Sequence, residues 1–110
     1  MEYLNKIELQ GYINNVSFTE IYGIRVARFS IATQYAYTGP KGASLVDTTW
    51  FECQAWEDKN DLSCLQSGNW LHVIGRMKER RFVDHSGIEK RIYEVICQEI
   101  ELIRNWYERD

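Results

Sequence analysis

Two short stretches hold residue types that could do chemistry. In the first, Thr48 to Trp56, the odd positions are Thr49, Phe51, Cys53 and Ala55 and the even positions are Trp50, Glu52, Gln54 and Trp56. Side chains alternate along a strand, so with the odd residues on a core face both tryptophans point away from it. An outward indole is a flat apolar pad. A nucleobase stacked on it gains about 1–3 kcal/mol, with little dependence on which base it is. The same placement suits an indole covered by a subunit or partner, because aromatics are enriched at interfaces. The second stretch is Arg76-Met77-Lys78-Glu79-Arg80-Arg81-Phe82. Alternation brings Arg76, Lys78 and Arg80 onto one face with Phe82. Cations beside a stacking ring are what a groove for a single nucleic-acid strand requires. The plainer alternative is a solvated edge strand blunted by Lys and Arg.

Other chemistry finds little support. No phosphate-loop, dinucleotide, nucleophile-elbow or HExxH string occurs. There are two histidines, His72 and His85. The three cysteines, Cys53, Cys64 and Cys97, form no CxxC. An odd count at wide spacing reads as reduced thiols in or near a core, not as a disulfide frame or zinc site. The expectation is a non-enzymatic protein with no catalytic residues, no metal and no cofactor. Net charge is −3, so bulk charge does not argue for a nucleic acid. Its distribution does: residues 68–91 hold Arg76, Lys78, Arg80, Arg81, Lys90 and Arg91 against Glu79, Asp84 and Glu89, a net +3 inside an acidic chain. Such asymmetry favours a nucleic-acid face.

The elements that must position these residues fit one domain of 110 residues with 45% hydrophobic composition. Residues 5–13 alternate, with Ile7, Leu9, Gly11 and Ile13 on one face, and read as the first strand. Asn14-Asn15 and Gly23 are turn signals. A second strand runs from about Ile24 to Tyr37, with Ala27, Phe29 and Ile31 in phase. Thr38 to Asp47, containing Gly39-Pro40-Lys41-Gly42, reads as the longest loop. The third strand is Thr48–Trp56. Asp58 to Gln66, with Leu62 and Leu65 at helical spacing, predicts a short helix. The fourth strand spans about Asn69 to Val83, where Gly75 suggests a bulge or sharp curvature. Asp84 to Gly87 makes a hairpin turn to a fifth strand, about Glu89 to Ile103. Five strands with a short helix between the third and fourth predict an all-β, five-stranded Greek-key barrel of the OB type. The expected domain is 1–104, with a short tail at 105–110. No apolar run is long enough to span a membrane. No export or transit pattern opens the chain, so a cytoplasmic protein is expected.

The ordered set of motifs resembles the bacterial single-stranded DNA-binding proteins over about residues 5–103. The carrying residues are Asn5-Lys6-Ile7, Val26 to Thr33, Thr49-Trp50, Gly68 to Gly75, the run Arg76 to Phe82 and the turn Asp84 to Gly87. The resemblance implies an OB fold and sequence-tolerant binding of single-stranded DNA in replication, recombination or repair. It also implies a homo-oligomer, with a tetramer favoured and a dimer possible. Matched position by position, Tyr37, Trp50, Trp56 and Phe82 are similar to the family's stacking aromatics, and Arg76, Lys78, Arg80 and Arg81 to its cationic run. Where the family commonly has a histidine after the third-strand tryptophan, this chain has Phe51. The family usually adds a long Gly- and Pro-rich tail with an acidic, hydrophobic tip. This sequence ends at Asp110, and the expectation is a form without that tail, Trp106 to Asp110 being a weak echo of the tip. A primosome-type accessory module or a protein-binding OB module, with the tryptophans in an interface, is the competing reading.

Overall fold

The protein is described by a computed structural model over residues 2–108. Five strands, β1 Ile7–Ile21, β2 Ile24–Thr38, β3 Ser44–Trp56, β4 Trp70–Val83 and β5 Glu89–Arg104, form a closed barrel in the order β1-β2-β3-β5-β4. All neighbours are antiparallel except β3 and β5, which run parallel. This is the expected five-stranded all-β barrel.

The core is built by one phase of each strand. Leu9 and Ile13 of β1, Ala27, Phe29 and Ile31 of β2, Cys53 and Ala55 of β3, Leu71 and Val73 of β4, and Val95 and Cys97 of β5 are buried together. Complete burial of a side chain such as Phe29 or Ile31 contributes about 1.5–3 kcal/mol each. Glycine permits closure at two crossings. A Cβ on Gly11 would collide with the Ala32 carbonyl oxygen, and one on Gly75 with that of Ile96. The register of β4 on β5 shifts between Ile74 and Gly75. The irregularity expected at Gly75 is therefore present.

Three sequence expectations are corrected. First, Asp58 to Gln66 is a chain of turns and forms no helix between β3 and β4. The segment is too short to repay helix nucleation, and its polar side chains offer the backbone other partners. Asp61 Oδ1 accepts from the Ser63 amide (2.9 Å), Asn60 Nδ2 donates to the Cys97 carbonyl (3.3 Å) and Asn69 Nδ2 to that of Cys64 (3.0 Å). Leu62 and Leu65 still enter the core. Second, half of Thr38 to Asp47 is strand, and the connection is only residues 39–43. A 3-10 turn at Pro40–Gly42 reverses the chain, and β3 starts at Ser44, with Leu45 opposite Tyr37 and Val46 opposite Ala36. Third, Asn14-Asn15 does not end β1. Asn15 takes a positive φ of 55° at a register shift between Asn14 and Ser17, and the strand continues to a tight turn at Tyr22-Gly23. Each extension lengthens a two-stranded arm that projects from the barrel.

Residues 105–108 fold back beside β4. The Trp106 amide donates to Asn69 Oδ1 (2.9 Å), and Trp106 packs edge-on against Tyr107 with ring centres 5.6 Å apart. The last two positions of the expected 105–110 tail, Arg109 and Asp110, lie outside the described residues.

Candidate nucleic-acid interface

β3 presents its two tryptophans on the outside of the barrel, because Cys53 and Ala55 between them face the core. Trp50 is 46% exposed. It lies opposite Ala32 of β2, which in turn lies opposite Tyr12 of β1. Ala32 carries only a methyl group, so the Tyr12 ring reaches across it to meet Trp50 edge to face, centres 5.6 Å apart and planes at 88°. Tyr12 is itself 6.0 Å from Trp70 on its other side. Trp50 is thus braced from the side while keeping an open surface. Trp56, six residues on and about 20 Å along the strand, lies opposite Val26 and is half-buried. Its indole N–H donates to Gln54 Oε1 at 2.6 Å, which fixes the ring.

β4 supplies charge. Met77 packs on the core, so Arg76, Lys78, Arg80 and Phe82 fall on the outer face of the strand. Phe82 is 39% exposed, and the Arg80 guanidinium lies 5.9 Å from its ring centre. Arg80 also approaches buried Glu94 (3.7 Å). Among the described residues neither Arg76 nor Lys78 forms an ion pair.

Two residues are placed elsewhere. Arg81 occupies the opposite face of β4, where its Nε donates to Glu79 Oε1 at 2.6 Å. Arg91, directly across the hairpin from Arg81, reaches the same oxygen at 3.8 Å. The hydrogen bond and charge of Arg81 hold the Glu79 carboxyl below its usual range. Tyr37 is in phase with Phe29 and Ile31, so it takes the face of β2 opposite to that of Trp50, out on the β2–β3 arm. There it is 38% exposed and stacks on Tyr35, centres 6.4 Å apart and planes at 23°.

Asp84 ties together the tip of the β4–β5 hairpin. Asp84 Oδ1 accepts from the amides of Ser86 (2.9 Å) and Ile88 (3.0 Å), and Lys90 pairs with the other oxygen at 3.3 Å. The bond from Ile88, aided by Lys90, holds the Asp84 carboxyl below its ordinary value. Neither Cys53 nor Cys64 is activated as a nucleophile. A hydrogen bond with Cys97 and burial push Cys53 up, and desolvation pushes Cys64 up. Among the described residues, no three His, Cys, Asp or Glu side chains gather as a metal site.

The family model of the single-strand binding proteins matches residues 4–103. The chain belongs to the single-strand binding protein family. Two curated relatives, each described as a single-stranded DNA-binding protein, come from Neisseria meningitidis serogroup A and serogroup B strains. Both are 23% identical over 104 residues, covering 91% of this chain and 60% of theirs. This chain thus spans about three fifths of their length. Among solved structures, a Plasmodium falciparum SSB in complex with ssDNA superposes with a TM-score of 0.79 at 24% identity, over 96% of this chain and 97% of that one. A deletion mutant of the Thermus aquaticus single-stranded DNA binding protein gives 0.73 at 21% identity, over 92% and 51%. At these identities the structures confirm the barrel fold.

Within this single-strand binding fold, the residues missed from the sequence are Trp50's supports. Tyr12 was legible as outward on β1, since it alternates with Gly11 and Ile13. That it meets Trp50 depends on a barrel register no local pattern announces. Trp70 was likewise outward on β4, and its place beside Tyr12 requires β4 to pair with β1.

Proposed function

We propose that this chain binds single-stranded DNA with little sequence preference, stacking bases on Trp50, Trp56 and Phe82 and drawing the backbone onto Arg76, Lys78 and Arg80. Tyr37, on the opposite face of the β2–β3 arm, offers a further stacking ring outside that track, and Arg81 supports the site by holding Glu79 on the far side of the hairpin. The observation that carries this reading is the outer face of β4. Two unpaired cations, a third beside an aromatic ring and that open ring follow one another at every second residue. Phosphate contacts supply affinity without sequence information, and stacking is equally tolerant.

Residues 1–104 form the binding unit, which acts as a homo-oligomer, as family membership favours. Protection of exposed strands in replication, recombination or repair, at a cytoplasmic site, follows from that ligand. The role is non-enzymatic: it needs only reversible contacts. Titration of the intrinsic tryptophan fluorescence with oligo-dT tests it, with duplex DNA of equal length as control. Quenching by the single strand alone is the expected result. Absence of both quenching and binding would transfer the tryptophans to a protein interface.

A further inference from the structure

The binding track on β4 stops at Arg76, and Trp56 lies two strands away. The barrel register shows what lies between them. Arg76 is opposite Ile96 of β5, Ile96 is level with Gln54 of β3, and Gln54 is opposite Arg28 of β2. These four residues form one row across the outside of the barrel. Their neighbours Ala27, Phe29, Cys53, Ala55, Val95 and Cys97 all face the core. Neighbouring strands are about 4.8 Å apart, so the two guanidinium-bearing positions stand roughly 14 Å apart along the sheet. Trp56 is the diagonal neighbour of Arg28, at a Cβ separation of roughly 7–8 Å for such pairs.

The middle of the row is quiet. Gln54 is occupied by the Trp56 indole N–H, and Ile96 is a half-buried apolar residue. On the other diagonal of Arg28 stands Glu52, whose Oε1 accepts from Ser30 Oγ at 2.8 Å. Arg28 is exposed and, among the described residues, forms no ion pair, with Glu52 or any other carboxylate. Arg28 therefore shares with Arg76 and Lys78 the state of an exposed, unpaired cation. Arg80, Arg81, Lys90 and Arg91 all have carboxylate partners.

We propose that Arg28 is a phosphate contact of the same site, carrying a single strand from the β4 cations across β5 and β3 to the far side of Trp56. This rests on the single-strand-binding reading above and extends it by a residue and a direction. A base stacked on Trp56 leaves its flanking phosphates within reach of Arg28 on one side, while Arg76 holds the backbone at the other end of the row. The strand then crosses the sheet instead of following β4.

The test is the salt dependence of oligo-dT affinity for the full chain, measured by anisotropy of a labelled oligonucleotide. Wild type, Arg28→Ala and Arg28→Lys are compared, each variant checked for an unchanged thermal melt. Arg28→Ala is expected to lose several-fold in affinity at low salt, and its log–log slope to become shallower by about 0.7, the value of one single-strand phosphate contact. Arg28→Lys should keep the wild-type slope. A wild-type slope in Arg28→Ala, with or without weaker binding, overturns the proposal while leaving the function intact. Failure of the wild type to bind oligo-dT removes the functional reading and this inference together.

Discussion

Lys78 and Arg81 are three positions apart and on opposite faces of β4. Arg81 is engaged at 2.6 Å by a carboxylate that Arg91 also approaches, whereas Lys78 has no such partner among the described residues. Lys78→Ala is therefore expected to weaken oligo-dT binding and reduce its salt slope by about 0.7. Arg81→Ala should leave that slope unchanged and instead loosen the hairpin, read as a small fall in Tm. The tryptophans differ too. Trp50 offers an open, braced ring, so Trp50→Ala should cost about 1–3 kcal/mol in binding, and Trp50→Phe should recover part of it. Isothermal titration of both variants with oligo-dT checks the order. At this scale the sequence was informative where alternation is strict. Trp50, Trp56, Arg76, Lys78, Arg80 and Phe82 all point as period two requires. Which of those cations would be paired was not legible, because Glu94 meets Arg80 across the hairpin. The face that Tyr37 takes has another cause. It depends on β2 running unbroken past Thr33, beyond the last residue that the core constrains.

Elements were legible in number and order, and less so at their ends. Strands were recognised where one face is buried, which is where alternation has a physical cause. The arms beyond the barrel are exposed on both faces, so Ser17 to Ile21 and Ser44 to Asp47 carried no such signal and read as turn or loop. The missing helix has the opposite cause. Leu62 and Leu65 are buried as a helix would bury them, but side chains such as Asn60, Asp61 and Asn69 take the backbone into turns. Gly75 is where element and barrel meet. Gly75→Ala forces a methyl group against the Ile96 carbonyl, at a bulge between β4 and β5. Overpacking of this kind costs about 1–3 kcal/mol, and more where backbone must move. A thermal melt should show it as a drop of several degrees. The hairpin tip has its own pH dependence. The Ile88 amide, Lys90 and the Ser86 amide hold Asp84 below its ordinary 3.8. Because the folded value is the lower one, the stabilisation is complete above 3.8 and disappears as pH falls through the depressed folded value. An NMR titration of the Ile88 amide should show a midpoint below 3.8, absent in Asp84→Asn.

Over the whole molecule, charge changes sign along the outer surface of β4. The outer side of β1, β4 and β5 near the barrel end carries Glu8, Glu99 and Glu101, with Glu8 bound to His72 at 2.6 Å. The cations lie toward the β4–β5 arm and across to β2. A net charge of −3 therefore does not by itself oppose a polyanion, because Arg76, Lys78 and Arg80 gather along β4 beyond that acidic end. This arrangement sets how salt should act. Arg76, Lys78 and Arg80, with Arg28 if the strand crosses the sheet, give three or four phosphate contacts per chain. At about −0.7 each, log affinity should fall against log salt with a slope of about −2 to −3. Stacking on Trp50, Trp56 and Phe82 involves no counterion release, so measurable binding and tryptophan quenching should persist at salt concentrations that abolish binding to duplex DNA. Anisotropy titrations of single- and double-stranded oligonucleotides across a salt series measure both quantities. A single-strand slope shallower than −1 would leave stacking alone as the source of affinity and detach the β4 cations from the site. A slope steeper than −4 would require more cations than these faces offer, placing the DNA on several subunits of an oligomer at once.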